Sequence, residues 1–98
     1  MSEKLSLSKH AREKLRQRRI PLEELERVLE NPQYRFYDVA SRSEVAIGEV
    51  SLYGMQLSLV IIYRRRDDKP HIVTAYPVRE VEEEIERKVK DGRWIIIG

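Results

Sequence analysis

The sequence predicts a single α+β domain over residues 1–98, with two amino-terminal helices, after a short strand, packed on an antiparallel sheet of three to five strands. A carboxy-terminal helix and a short final strand complete the expected fold. Apolar residues recur at helical spacing before residue 31 and after residue 77, and they alternate at spacing two in between. A chain of 98 residues can build one hydrophobic core but has no room for a second domain.

The amino-terminal third predicts a strand and two helices. Leu5 and Leu7 alternate with polar residues, and Ser8 is placed to cap a helix that continues to about Arg18. Pro21 suits the first turn of the second helix. The apolar face of that helix consists of Leu22, Leu25, Val28 and Leu29.

The middle of the chain predicts four β segments, at 34–39, 44–52, 55–63 and 71–76. The apolar parity shifts at Gly48-Glu49, which predicts a β-bulge. Segment 55–63 is apolar on both faces near its middle, so it should be a central strand. The charged residues 64–70 are expected to form a loop.

The carboxy-terminal part predicts a helix after Pro77, with an apolar stripe of Val78, Val81, Ile85 and Val89. Its other side should face solvent, with favourable pairs such as Glu84 and Lys88. Residues 94–97, Trp-Ile-Ile-Ile, are too apolar for a free tail. We expect them to pair with a sheet edge, although covering the core or meeting a second subunit are alternatives.

Composition excludes several classes of function. The chain has no cysteine and only two histidines, so a metal site is not expected, and neither is a cofactor. The longest apolar run, 57–63, cannot span a bilayer, and the first eight residues lack the apolar region of a signal peptide. We therefore expect a cytoplasmic protein without a membrane partner. The charged fraction of 37% suggests a thermophile source.

The charges are unevenly distributed along the chain. Residues 1–20 carry seven Lys or Arg, whereas residues 80–86 carry five Glu and no basic residue. The basic segment is either a footprint for phosphates or a solvated helix face, and charge alone favours the second interpretation.

Two segments resemble a known family. Residues 8–20 read Ser-Lys-His-Ala-Arg-Glu-Lys-Leu-Arg-Gln-Arg-Arg-Ile, and residues 72–77 read Ile-Val-Thr-Ala-Tyr-Pro. Together with the acidic helix between them, they resemble bacterial and archaeal domains of unknown function with a His-Ala-Arg-Glu helix and a Thr-x-Tyr-Pro strand, over about residues 7 to 77. The resemblance implies the fold of the RelE, barnase, EndoU and colicin ribonucleases, a group rich in toxins of toxin–antitoxin systems.

The resemblance also implies functional positions. They are His10, Arg12 and Arg19 in the helical part, Arg42 after the first strand, and Thr74 and Tyr76 in the last core strand. The family's usual Gly after the helical Arg is absent, because Arg19 leads directly into Ile20. Residues 78–98 lie outside the resemblance.

Metal-independent RNA cleavage needs a base, an acid and cations that hold the phosphate. The candidate catalytic residues are His10, Arg12, Arg19, Thr74 and Tyr76. The candidate RNA-binding residues are Lys9, Arg16, Arg42, Arg64 and Arg65.

Several of these assignments compete with a structural one. His10 can simply pack in the first turn of its helix, and His71 is expected at the surface beside a charged loop. Thr74 and Tyr76 are common strand residues. The run of arginines at 64–66 precedes two aspartates that can neutralise it.

Three functions follow from these observations. The first is a RelE-like ribonuclease of toxin type, which acts on RNA such as ribosome-bound mRNA and is inhibited by a partner antitoxin. The second is a non-catalytic RNA- or ribosome-binding domain. The third is an interaction module that forms a homodimer through Trp94–Ile97 and has no nucleic-acid role.

Overall fold

A computed structural model describes residues 4–97 and confirms the α+β class. The strands are β1 (Ser6–Leu7), β2 (Tyr34–Asp38), β3 (Ser43–Leu52), β4 (Met55–Arg66), β5 (Lys69–Val78) and β6 (Trp94–Ile96). The helices are α1 (Lys9–Gln17), α2 (Leu22–Glu30) and α3 (Val81–Lys90). None of these helices has the length and apolarity needed to cross a membrane.

The six strands form one sheet in the order β1-β5-β4-β3-β2-β6. All neighbours are antiparallel except β1 and β5, which are parallel. The sheet exceeds the expected three to five strands because both short terminal strands join it. The central position of β4 and the sheet-edge position of β6 are confirmed.

The ends of α1 follow from local chemistry. The side chain of Ser8 accepts a hydrogen bond of 3.0 Å from the backbone N–H of Ala11, which is the expected cap. At the other end, Ile20 N–H donates to the carbonyl of Leu15 at 3.0 Å, and Arg19 has a φ of 53°. This is the left-handed position where helices usually place Gly, so Arg19 adopts a backbone conformation that favours glycine.

Each face of the sheet buries its own apolar cluster. The α1–α2 face is the side covered by the first two helices, and its buried residues are Leu5, Ala11, Leu15, Ile20, Leu25, Val28, Ala46, Val50, Leu52, Leu57, Leu59, Ile61, Tyr63, Ile72 and Ala75. The α3 face is the opposite side, and its buried residues are Phe36, Val45, Ile47, Val60, Ile62 and Trp94. Val81 and Ile85 of α3 pack on the second cluster.

The prediction of a β-bulge at Gly48-Glu49 is wrong. The register of β3 with β4 continues without interruption from Glu44 opposite Tyr63 to Leu52 opposite Met55. The shift of apolar parity has a different cause. The first half of β3 contributes buried apolar side chains to the clusters on both faces, whereas the second half contributes them only to the cluster on the α1–α2 face. The irregularity of the sheet lies instead in the β4–β5 pairing, between Ile62 and Tyr63.

Two other boundaries also differ from the prediction. The segment 64–70 is not a loop, because β4 continues to Arg66 and only Asp67-Asp68 turn the chain. Both aspartates have positive φ, 52° and 62°, which suits a tight hairpin. Pro77 does not start a helix but lies in β5 opposite Leu59.

Candidate nucleic-acid interface

The outer side of α1 and its carboxy-terminal cap form a cationic surface. Its exposed members are Lys9, His10, Arg12, Arg16 and Arg19, whereas Ala11 and Leu15 of the same helix are buried against the sheet. Within residues 4–97, no carboxylate forms a salt bridge with any of these side chains. We call Lys9, Arg12, Arg16 and Arg19 the α1 cationic surface.

Several arginines of the sheet are neutralised instead. Glu44 binds Arg35 at 3.2 Å and Arg65 at 3.4 Å. The Arg65 guanidinium also lies over the Tyr63 ring, 5.9 Å from its centroid. Arg65, a candidate RNA-binding residue, therefore already has a carboxylate and an aromatic partner.

Thr74 and Tyr76 lie on the other side of the sheet from α1. Tyr76 packs against the cluster of the α3 face. Thr74 is opposite Ile62, a member of that cluster, and residues directly opposite each other share a face. The structure therefore brings Thr74 and Tyr76 together but separates them from His10, Arg12 and Arg19, with the sheet in between.

Tyr76 belongs to a polar group beneath α3. Its hydroxyl donates to Glu84 Oε2 at 2.8 Å, and Arg87 also binds Glu84. Burial raises the pKa of Tyr76, and the hydrogen bond to Glu84 raises it further, so the phenol stays neutral. The expectation that Glu84 faces solvent beside Lys88 is wrong, because this carboxylate is buried against Tyr76.

Asp38 forms a second buried polar group on the α3 face. It accepts from the Trp94 indole at 3.1 Å, from the Ser41 backbone N–H at 3.0 Å and from Arg93 at 3.5 Å. Burial acts to raise the pKa of Asp38, but these donors outweigh burial and lower it. Asp38 thus ties the β2–β3 turn to β6, a role that no motif in the sequence indicates.

The remaining candidates lie at one end of the sheet. Arg42 is exposed in the β2–β3 turn, with a φ of 56°. Arg64 donates to the carbonyl of Ser41 at 2.9 Å, and His71 lies opposite Arg64 at the start of β5. In the described part of the chain, no group of three His, Asp or Glu is arranged to hold a metal ion.

The model of a family described as a domain of unknown function, DUF4258, matches residues 7–77. The chain belongs to this family. The expectation of a family of unknown function over about residues 7 to 77 is therefore confirmed. The match contains α1, α2 and most of the sheet, whereas α3 and β6 lie outside it. No curated protein and no solved structure matches the chain.

Proposed function

We propose that this protein binds RNA through the α1 cationic surface. The observation that carries the proposal is the row of four cations along α1, none of which has a carboxylate partner among the described residues, whereas Arg35, Arg65 and Arg93 each have one. Unpaired guanidinium and ammonium groups bind phosphate oxygens and release counterions, which is the main source of affinity for nucleic acids.

The spacing of the cations supports an extended ligand. Lys9 and Arg16 are separated by roughly 10 Å along the helix axis. Arg19 continues the row past the end of the helix. The acidic first turn of α3, with Glu82, Glu83 and Glu84, belongs to the other face of the sheet.

Salt-dependent binding tests this proposal. The triple variant Lys9→Gln, Arg12→Gln, Arg16→Gln should weaken binding of a single-stranded RNA in fluorescence anisotropy. The slope of log affinity against log salt should fall by about 0.7 for each lost phosphate contact.

A matched control removes the same charge elsewhere, with the three changes Arg79→Gln, Lys88→Gln and Lys90→Gln. These residues lie in or before α3, outside the α1 cationic surface. The control should bind as the unmodified chain does. Equal losses of RNA affinity in both triple variants would refute binding at a specific surface, because they would show that affinity depends only on the net charge.

We also propose the toxin-type ribonuclease that the resemblance implies, in the RelE, barnase, EndoU and colicin group, with a cytoplasmic location and a partner antitoxin. The support is the pair of segments in α1 and β5. The catalytic set expected from the sequence needs His10 and Tyr76 in one cleft, and the sheet lies between them. Cleavage therefore calls for a different group of residues.

A homodimer through β6 is a further candidate, and the exposure of this edge favours it. Ile95, Ile96 and Ile97 expose 54%, 69% and 43% of their surface, and β6 is an edge strand. An exposed apolar edge is a template for pairing with a second copy. Ile96→Glu should convert such a dimer to monomer in sedimentation, and an unmodified chain that sediments as a monomer refutes it.

A further inference from the structure

We propose that His71, with Arg64 and Arg66, forms a site that cleaves RNA phosphodiesters at the end of the sheet where β4 meets β5. This inference rests on the proposed RNA binding and assigns the chemistry to residues outside the set that the sequence indicates. It stands on three observations: the hydrogen bond of His71, the face that the arginines share, and the neighbouring α1.

His71 is fixed between two strands. Its Nδ1 lies 2.8 Å from the hydroxyl of Ser6 in β1, and its backbone pairs with Ser6 on one side and Arg64 on the other. Nε2 has no hydrogen-bond partner among residues 4–97 and is not buried. When Nδ1–H donates to Ser6, the lone pair of Nε2 is free to accept a proton.

Strand alternation places the two arginines on the face of His71. Arg65 turns to Glu44 on the α1–α2 face, so Arg64 and Arg66 point to the other face. Arg64 is held by the Ser41 carbonyl at 2.9 Å, and neither arginine forms a salt bridge with a described carboxylate. Asp67 and Asp68 turn the hairpin without neutralising them.

The two arginines also favour the neutral form of the His71 imidazole. Burial lowers the pKa of His71, and the charges of Arg66 and Arg64 lower it further. The imidazole is therefore neutral near pH 7, as a general base must be. The same two cations are suited to hold the additional negative charge of a pentavalent phosphate.

The reaction is an internal transesterification. Nε2 of His71 takes the proton of the 2′-hydroxyl, the 2′-oxygen forms a bond to phosphorus, and the bond from phosphorus to the 5′-oxygen breaks. The leaving 5′-oxygen takes a proton from water, and His71 later returns its proton to solvent. The products are a 2′,3′-cyclic phosphate and a 5′-hydroxyl.

The α1 cationic surface begins close to this site. Ser8, the cap of α1, contacts β5 through two hydrogen bonds. Its backbone N–H donates to the Ile72 carbonyl at 3.0 Å, and its hydroxyl donates to the Val73 carbonyl at 3.4 Å. The first residue of α1, Lys9, therefore directly follows a residue that contacts β5, the strand that contains His71. His71 and α1 lie on opposite faces of the sheet, so an RNA strand that lies along α1 reaches the imidazole by passing around β1, the edge strand.

The experiment measures binding and cleavage in the same samples of the full chain, with a single-stranded RNA and EDTA present. His71→Gln should slow formation of the 2′,3′-cyclic phosphate by about 100-fold or more while RNA affinity is nearly kept. Arg66→Gln should slow cleavage about tenfold or more. Arg79→Gln, a matched control just beyond the other end of β5, should cleave as the unmodified chain does.

A substrate with 2′-deoxyribose at the cleaved position should bind and stay intact. Bound RNA that is never cleaved, or cleavage that survives His71→Gln and is lost only in His10→Gln, would overturn this inference and leave RNA binding in place. Absence of binding at low salt would overturn the proposed function and the cleavage site together.

Discussion

The two faces of one sheet bury different kinds of side chain. The cluster of the α1–α2 face consists of apolar residues and Tyr63, and the cations of α1 lie outside it. The α3 face combines its apolar cluster with the buried polar side chains of Asp38, Ser43, Ser58 and Glu84. The first face is therefore held mainly by apolar packing, with Tyr63 bonded to Glu44, whereas the second depends also on several buried polar groups with hydrogen-bond partners.

The largest effect should come from the aromatic centre of the α3 face. Trp94 is 2% exposed, stacks on Phe36 with centroids 5.2 Å apart and donates to Asp38. Trp94→Ala should lower the free energy of unfolding by about 3–5 kcal/mol, similar to Leu25→Ala on the other face at about 2–5 kcal/mol.

The comparison in urea unfolding includes Ile96→Ala as a control. Ile96 belongs to the same strand but is 69% exposed, so its truncation should cost less than about 0.5 kcal/mol. A Trp94 variant as stable as the Ile96 variant would contradict a core on the α3 face.

The loss of stability at acidic pH should give the second difference between the two faces. The pKa of Asp38 is lowered, so its contribution to stability is present above the ordinary pKa of 3.8 and is lost as pH falls through the folded value. Asp38→Asn should cost about 1–3 kcal/mol at neutral pH and flatten the loss of stability below pH 4.

Thermal unfolding between pH 2 and pH 7 measures this, with Asp91→Asn as the control, because Asp91 is exposed. The acid limb should be unchanged in that variant. An equally steep acid limb in Asp38→Asn would show that other carboxylates cause it.

The close contact between α2 and β3 gives a third effect, on the apolar face. A Cβ added at Gly48 would lie 3.0 Å from both methyl carbons of Val28. Gly48→Ala should therefore cost about 1–3 kcal/mol. Combined with Val28→Ala, which makes room, the double variant should be more stable than the sum of the two losses predicts. Additive losses in a double-mutant cycle would refute the contact.

The smallest effect should be a gain. Arg19 has a positive φ at the end of α1, where Gly is unstrained. Arg19→Gly should raise the free energy of unfolding by about 0.5–1 kcal/mol and weaken RNA binding. Arg16→Gly, inside the same helix, should lower stability by about 1 kcal/mol. Loss of stability in both variants would contradict the left-handed cap.

Most elements could be predicted because their signals are local. Ser8 caps α1, the period of two marks the strands, and the apolar Trp94–Ile96 segment requires a partner. The extent of β4 could not be predicted, because three arginines give no apolar alternation. Their place in the strand depends on pairing with β5.

The arrangement of the candidate site was harder to predict, since the sequence does not say which face of the sheet a helix covers. Both faces of β4 are apolar, so α1 fits either one by pattern alone. Because α1 packs on the α1–α2 face, the sheet separates His10 from Tyr76. Burial of Glu84 and the contact of Ser6 with His71 also depend on packing between distant segments.

The most direct test of the account is a titration of the isotope-labelled chain with a short, uncleavable RNA, in which the 2′-oxygens carry methyl groups, followed through backbone amide shifts. The predicted result is that the largest shifts map to residues 8–20 and to the ends of β4 and β5 near His71. Shifts confined to α3 and β6, or none at low salt, would contradict it.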